Sequence, residues 1–92
     1  MANHKSALKR IRSSERRRIR NRIIRGRARS FVKRTRQALE AGDLEAAREW
    51  LQQAVSALDK AAEKGVIHRN NAARRKSRLM RAYNRYVQQA QS

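Results

Sequence analysis

The 92-residue sequence contains no cysteine and no proline, and it has only three glycines and four aromatic residues. Without cysteine the chain has no disulfide framework, no thiolate metal site and no cysteine nucleophile. So few glycines and prolines argue against an all-β domain, because such a domain needs many turns. No apolar run approaches the length that spans a bilayer, and no apolar segment follows the first residues, so we expect neither a membrane span nor a signal peptide. The remaining class is a small, cytoplasmic, all-helical protein.

Acidic residues are also scarce, since the chain has seven of them against 25 lysines and arginines. General acid–base catalysis needs paired carboxylates or a histidine poised in a cleft, and a metal site needs clustered ligands at set spacings. Neither pattern is present, and five of the seven acids fall between positions 43 and 63. We therefore expect no enzymatic activity, no cofactor, no bound metal and no small-molecule substrate.

Positive charge is what the chain has in abundance, with a formal net charge of +18. Residues 1–40 contain 15 basic and two acidic side chains, residues 41–65 contain three and five, and residues 66–92 contain seven and none. Arginine outnumbers lysine by 19 to 6. A guanidinium group binds phosphate through two parallel hydrogen bonds and stacks on bases, whereas lysine acts as a point charge. The composition therefore indicates a polyanionic partner, and we expect that partner to be a nucleic acid.

Apolar residues at spacings of three and four predict three helices, over about residues 5–40, 43–64 and 68–90. The second helix has the clearest stripe, with Asp43 as its predicted N-cap and Gly65 directly after its C-terminus. That stripe consists of Leu44, Ala47, Leu51, Ala54, Leu58 and Ala61. The pattern predicts an all-α fold in one domain of 92 residues: an antiparallel three-helix bundle with a long N-terminal helix that projects beyond it.

The outer helices each combine an apolar stripe with basic residues. In the third helix the apolar face comprises Ala72, Leu79, Tyr83, Tyr86 and Ala90, and the opposite face comprises Arg74, Arg78, Arg81 and Arg85. Lys76 is an exception, because its position falls within the apolar arc. In the first helix only the second half has a packing stripe, made of Ile24, Ala28, Phe31, Thr35 and Ala38.

The first half of the N-terminal helix is basic on every side. Six arginines point all round its axis: Arg12, Arg16, Arg17, Arg18, Arg20 and Arg22. Such a helix either forms inside a polyanion or stays disordered until it binds one. It fits a crevice between several RNA helices better than a single open groove, which favours a structured RNA.

Two other classes of protein remain open at this point. A histone-like protein that compacts DNA would bind duplex DNA as tightly as RNA. A cationic helix on a membrane surface would need a broad apolar face opposite its charges. Leu8, Ile11 and Ile19 are interpreted here as sharing no common face, which argues against the membrane.

The chain resembles one known family over nearly its whole length, and the resemblance is clearest in three segments. They are the opening Met-Ala-Asn-His-Lys-Ser-Ala, the middle motif Arg29-Ser30 followed by Lys33-Arg34-Thr35, and the run from Lys64 to Leu79, which reads KGVIHRNNAARRKSRL. On these residues the chain resembles the bacterial small-subunit ribosomal protein family numbered twenty. The family is often richer in lysine where this chain has arginine, and Trp50 is not one of its hallmarks.

The resemblance implies a structural protein of the bacterial ribosome, monomeric there and with few protein–protein contacts. It implies direct binding to 16S rRNA, in the 5′ domain and at the long penultimate helix near the 3′ end, and a role in organising rRNA helices during assembly. By carry-over, one set of RNA-binding residues is Asn3, His4, Lys5, Ser6, Lys9, Arg10 and Arg12, and a second set is His68, Arg69, Asn70, Asn71, Arg74, Arg75, Lys76, Ser77 and Arg78. Along the first helix we also expect contacts from Arg16, Arg17, Arg20, Arg27, Lys33 and Arg34.

Overall fold

A computed structural model describes the backbone of residues 2–91 and the side chains of residues 6–91. This part of the chain forms three helices and no strand: α1 (Ala2–Glu40), α2 (Leu44–Glu63) and α3 (Arg69–Gln91). The predicted fold class, an all-α three-helix bundle with a long N-terminal helix, is confirmed. The helix α1 begins at Ala2, a few residues before the predicted start, and it continues without interruption through the basic segment.

Two short turns reverse the chain by the same hydrogen-bonding pattern. Gly42 (φ 78°) and Gly65 (φ 72°) adopt the left-handed conformation that favours glycine. After α2, the N–H of Gly65 donates to the carbonyl of Ala62 (3.0 Å) and that of Val66 to the carbonyl of Ala61 (2.8 Å). The turn after α1 repeats this arrangement. Both turns are Schellman motifs, which satisfy the last carbonyl groups of a helix.

Asp43 begins α2 as predicted, because its carboxylate accepts a hydrogen bond from the backbone N–H of Ala46 at 3.1 Å. The same residue also completes the turn that ends α1, since its own N–H donates to the carbonyl of Ala38 (3.0 Å). One residue therefore terminates one helix and starts the next. This leaves a connection so short that α1 and α2 must lie antiparallel.

The core lies along α2, which packs against both of the other helices, whereas α1 and α3 touch each other only slightly. The helix α2 contributes five buried residues, four of them alanines, so its neighbours approach closely. The largest fully buried apolar side chains of the core are Leu39 of α1, Leu58 of α2 and Leu79 of α3. Thr35 is also fully buried, and its hydroxyl donates to the carbonyl of Phe31 at 2.8 Å. The buried residues thus follow the middle helix, and one cluster among them joins all three helices through Ala28, Ala57, Leu58 and Ala72.

The molecule is elongated, with extents of 72 × 22 × 13 Å. The 39 residues of α1 account for about 58 Å of this length at 1.5 Å per residue. Between residues 6 and 23 every side chain is exposed except that of Asn21, which is half-buried. We call residues 6–23 the basic rod. Tertiary packing begins only at Ile24 and Ala28, so the rod extends beyond the bundle.

Candidate nucleic-acid interface

The arginines of the basic rod have no partners among the side chains that the structure describes. Among the described side chains, Arg34 is the only arginine of α1 with a contact to another functional group. Glu15 is the only acid in the rod, and it forms no ion pair with any side chain in residues 6–91. These guanidinium groups are therefore exposed and available to a polyanion. Their mutual repulsion also makes a polyanion favourable to the helix itself.

The rod leaves the bundle beside the C-terminal end of α2. A shallow groove at this junction is lined by Arg16, Arg20 and Arg27 of α1 together with Lys64, and its apolar lining comes from Ile19, Ile23 and Ile24. A second depression brings Ile24 and Arg27 next to Lys60, Glu63 and Lys64. The first helix thus meets the turn before the third helix at the end of the bundle from which the rod emerges.

The start of α3 lies in the same region, and its first turn is held by side chains. The Nδ1 atom of His68 accepts a hydrogen bond from the backbone N–H of Asn70 (3.1 Å), so His68 acts as the N-cap of α3. The Nε atom of Arg75 donates to the Oδ1 atom of Asn71 at 2.8 Å. The helix α3 has no acidic residue in its first turn. Its positive N-terminal dipole therefore adds to the charge of Arg69 and Arg75.

Further along α3, the predicted arginine face is exposed. Arg74, Arg78, Arg81 and Arg85 all point to solvent, whereas Leu79 on the opposite side is fully buried. Lys76 is half-buried, and its Nζ atom lies 2.6 Å from the carboxylate of Asp59. This pair links α3 to α2 and is the only ion pair among the described side chains. It explains how a lysine is accommodated near the apolar arc.

At the far end of the bundle, Trp50 connects α1 and α2. The ring of Trp50 lies 5.8 Å from that of Phe31, and the guanidinium carbon of Arg34 lies 4.8 Å from its centroid. Trp50 is half-buried and Arg34 is exposed. The indole thus packs on one side and supports a cation on the other, an arrangement that restricts the arginine side chain.

The predicted RNA-binding residues are mostly on the surface. Nearly all of those with described side chains are exposed, and Asn71 and Lys76 are half-buried. They do not form one patch, because Lys33 and Arg34 lie far along α1 from the junction groove. The predicted contacts of Asn3, His4 and Lys5 fall outside the described side chains.

Two features were missed at the level of sequence. Lys64 lies beside Arg16 and Arg20 of the rod, although it is not among the predicted RNA-binding residues. The interpretation that Leu8, Ile11 and Ile19 share no face is wrong. On one continuous helix with 3.6 residues per turn they lie within about 80° of one another. The helical period, applied across the whole of α1, would have shown that these three residues share a face.

The described residues offer neither a membrane span nor a cluster of metal ligands. No helix there combines the length and the apolarity that crossing a bilayer requires. No three histidine, aspartate or glutamate side chains in the same part of the chain come together as metal ligands would. The groups that the surface presents are overwhelmingly cationic.

Comparison with known proteins gives a consistent picture. The family model for ribosomal protein S20 matches residues 2–84. A small ribosomal subunit protein bS20 from Thermomicrobium roseum is 59% identical over 87 residues, which cover 95% of this chain and 88% of the relative. Proteins of the same name from Dictyoglomus thermophilum and Geobacter metallireducens are 52% and 51% identical over 84 residues, covering 91% of this chain and 90% and 97% of theirs. The chain therefore belongs to the ribosomal protein S20 family, whose members are structural proteins of the ribosome and not enzymes.

Proposed function

We propose that the chain is a structural constituent of the small ribosomal subunit that binds 16S rRNA directly. The contacts would be to the 5′ domain and to the long penultimate helix near the 3′ end. The observation that carries this proposal is the basic rod, whose arginines surround a helix that no other described part of the chain covers. A crevice between RNA helices supplies phosphates on every side of such a rod, whereas an open DNA groove supplies them on one.

The mechanism is assembly by charge neutralisation. The rod inserts between rRNA helices, and the junction groove with the start of α3 presents a second cationic surface beside it. Phosphates on both surfaces draw separate RNA segments together. Because they also relieve repulsion along α1, binding stabilises the helix, and part of the binding free energy goes into ordering it.

Family membership agrees with this proposal. The relatives are named as small ribosomal subunit proteins, and their identity with this chain extends over most of its length. We accordingly propose a monomeric protein within the cytoplasmic ribosome, with 16S rRNA as its main partner and few contacts to other proteins. Membranes, cofactors and small-molecule substrates have no part in the mechanism.

The decisive experiment measures binding to a folded transcript of the 16S 5′ domain at moderately high salt. Excess duplex DNA and an unrelated folded RNA serve as competitors. We expect binding to persist, because the arginines are held in a geometry that matches one RNA shape. If every competitor displaced the transcript equally well, the protein would be a general polycation, and a DNA-compacting protein would be favoured.

The second contact needs its own measurement. A labelled RNA containing the penultimate helix is added to the protein bound to the 5′-domain transcript. We expect the protein to retain both RNAs, and Arg74→Gln with Arg78→Gln to reduce retention of one of them while the other stays bound. Competition between the two RNAs for a single surface would contradict a bridging role.

A further inference from the structure

Four large apolar side chains lie exposed on the basic rod. Leu8, Ile11, Ile19 and Ile23 retain between 45% and 58% of their accessible surface. On a continuous helix these positions fall within an arc of about 120° and extend over about 22 Å along the axis. We call these four residues the apolar row.

The bundle leaves about half of the accessible surface of the apolar row uncovered. The buried residues of α1 are Ala28, Thr35 and Leu39, and their direction differs from that of the row by about 160° at 100° per residue. The row is thus centred on the side of α1 opposite the core, and Ile19 and Ile23 at its C-terminal end also reach the edge of the junction groove beside Lys64. Single exposed apolar residues are common, but four aligned on one face of a charged helix form a surface that gains from burial.

Gly26 extends the same face by one further turn. A Cβ atom built at this position would meet nothing within 4 Å, so neither packing nor a turn within the protein requires glycine there. Its φ is also in the ordinary helical range, since the positive-φ glycines are Gly42 and Gly65. The face therefore ends in bare backbone, which permits a close approach from outside.

The charges around the row decide what covers it. Arg12 and Arg22 lie within the same arc, and so does Glu15. A bilayer that accepted the isoleucines would also have to accept these charges, which is unfavourable. A second copy of the chain is repelled by its net charge of +18. An RNA groove offers phosphates for the guanidinium groups and ribose or base faces for the apolar side chains.

We propose that the apolar row is a second kind of RNA contact, which packs on ribose and base faces while the surrounding arginines bind phosphates. This inference rests on the proposed rRNA binding and assigns a distinct task to one face of the rod. The arginines supply attraction that depends on salt. The row supplies a contact that requires a matching groove, so it selects the shape of the RNA and adds affinity that salt does not screen.

The test separates the two kinds of contact by their salt dependence. Affinity for the folded 5′-domain transcript is measured at several salt concentrations for the double variant Ile19→Gln with Ile23→Gln. We expect affinity to fall by roughly tenfold, because two apolar contacts are lost. The slope of log affinity against log salt should stay unchanged, because no phosphate contact is lost.

Two matched variants complete the design. Ile19→Leu with Ile23→Leu keeps the row apolar and should retain affinity within a few-fold. Arg16→Gln with Arg20→Gln should lower both the affinity and the slope. Circular dichroism of each free variant checks that helix content is unchanged, as expected for exposed positions.

Binding to vesicles of phosphatidylglycerol and phosphatidylcholine in equal parts is measured in parallel. Unchanged RNA affinity in the glutamine variant would overturn the inference, and a simultaneous loss of vesicle binding would assign the row to a membrane surface. If the unsubstituted protein fails to discriminate the transcript from competitors, the proposed function itself fails. Selective RNA binding that is insensitive to the row would remove the inference alone.

Discussion

Gly26 and Gly65 differ in backbone conformation. Gly26 lies inside α1 with ordinary helical geometry and open space around it, whereas Gly65 has a φ of 72°. We expect Gly26→Ala to raise the free energy of unfolding by about 0.5–1 kcal/mol, because alanine loses less backbone entropy on folding. Gly65→Ala should lower it by about 1–2 kcal/mol, because a Cβ atom is strained in the left-handed region. Thermal unfolding followed by circular dichroism measures both.

Gly42→Ala is the control for this pair. Gly42 has a φ of 78° in an equivalent turn, so its substitution should match that of Gly65. A loss of stability in Gly26→Ala as large as that in the turn variants would show that α1 does not remain a regular helix at this position.

We expect Trp50 to contribute to function by orienting the side chain of Arg34. The 4.8 Å contact restricts the arginine side chain before any ligand arrives. If Arg34 binds phosphate as proposed, Trp50→Leu should weaken RNA binding several-fold by releasing that restraint. The substitution keeps an apolar residue against Phe31, so the bundle should remain folded.

A double-mutant cycle measures the coupling between these two residues. Affinity for the folded transcript is compared among Trp50→Leu, Arg34→Ala and the combined variant. We expect the loss in the combined variant to be smaller than the product of the single losses, because each change removes the same interaction. Strictly multiplicative losses would mean that the two residues act independently.

Among the helices, α2 determines stability because it packs against both neighbours. Leu58 is 1% exposed, and Leu58→Ala should cost about 2–5 kcal/mol and unfold a marginal bundle. From the sequence alone Leu51→Ala would be given the same cost, but Leu51 is only half-buried. We expect about 1–2 kcal/mol for that change, since part of the side chain remains hydrated.

Chemical unfolding of these two leucine variants tests the central position of α2. The loss of free energy should be clearly larger for Leu58 than for Leu51. Equal losses would contradict the position of the core at Leu58.

Lys76→Gln, which removes the ion pair with Asp59, should change the free energy of unfolding by less than about 1 kcal/mol because both groups are partly exposed.

At this scale the sequence was most informative within each helix. The spacing of apolar residues along α2, the N-cap at Asp43 and the turn at Gly65 all appear in the structure, because each depends on residues within one or two turns. Contacts between helices were not predictable in this way. The ion pair of Lys76 with Asp59 depends on the register between α2 and α3, which no local pattern specifies.

The whole molecule separates a folding unit from a binding unit. The basic rod takes no part in the core, so changing Arg16, Arg17 and Arg20 together to alanine should leave the melting temperature of the free protein unchanged or slightly raised. Affinity for the transcript should fall, and the slope against log salt should decrease by about 2–3 if each arginine neutralises one phosphate. A drop in melting temperature that parallels the loss of affinity would contradict this separation.

Composition and helical periodicity by themselves determined the class of protein, the three helices, the capping of α2 and the two cationic regions. These properties depend on charge count and on neighbours in sequence. Only the tertiary structure placed α2 between the other helices, brought Lys64 beside Arg16 and Arg20, and set Arg34 over Trp50. Such contacts depend on how two helices cross and in what register, and a pattern confined to one helix holds no information about either. The apolar row depends on both sources of information. Its alignment follows from the period of one helix, but its exposure is decided by where the bundle ends.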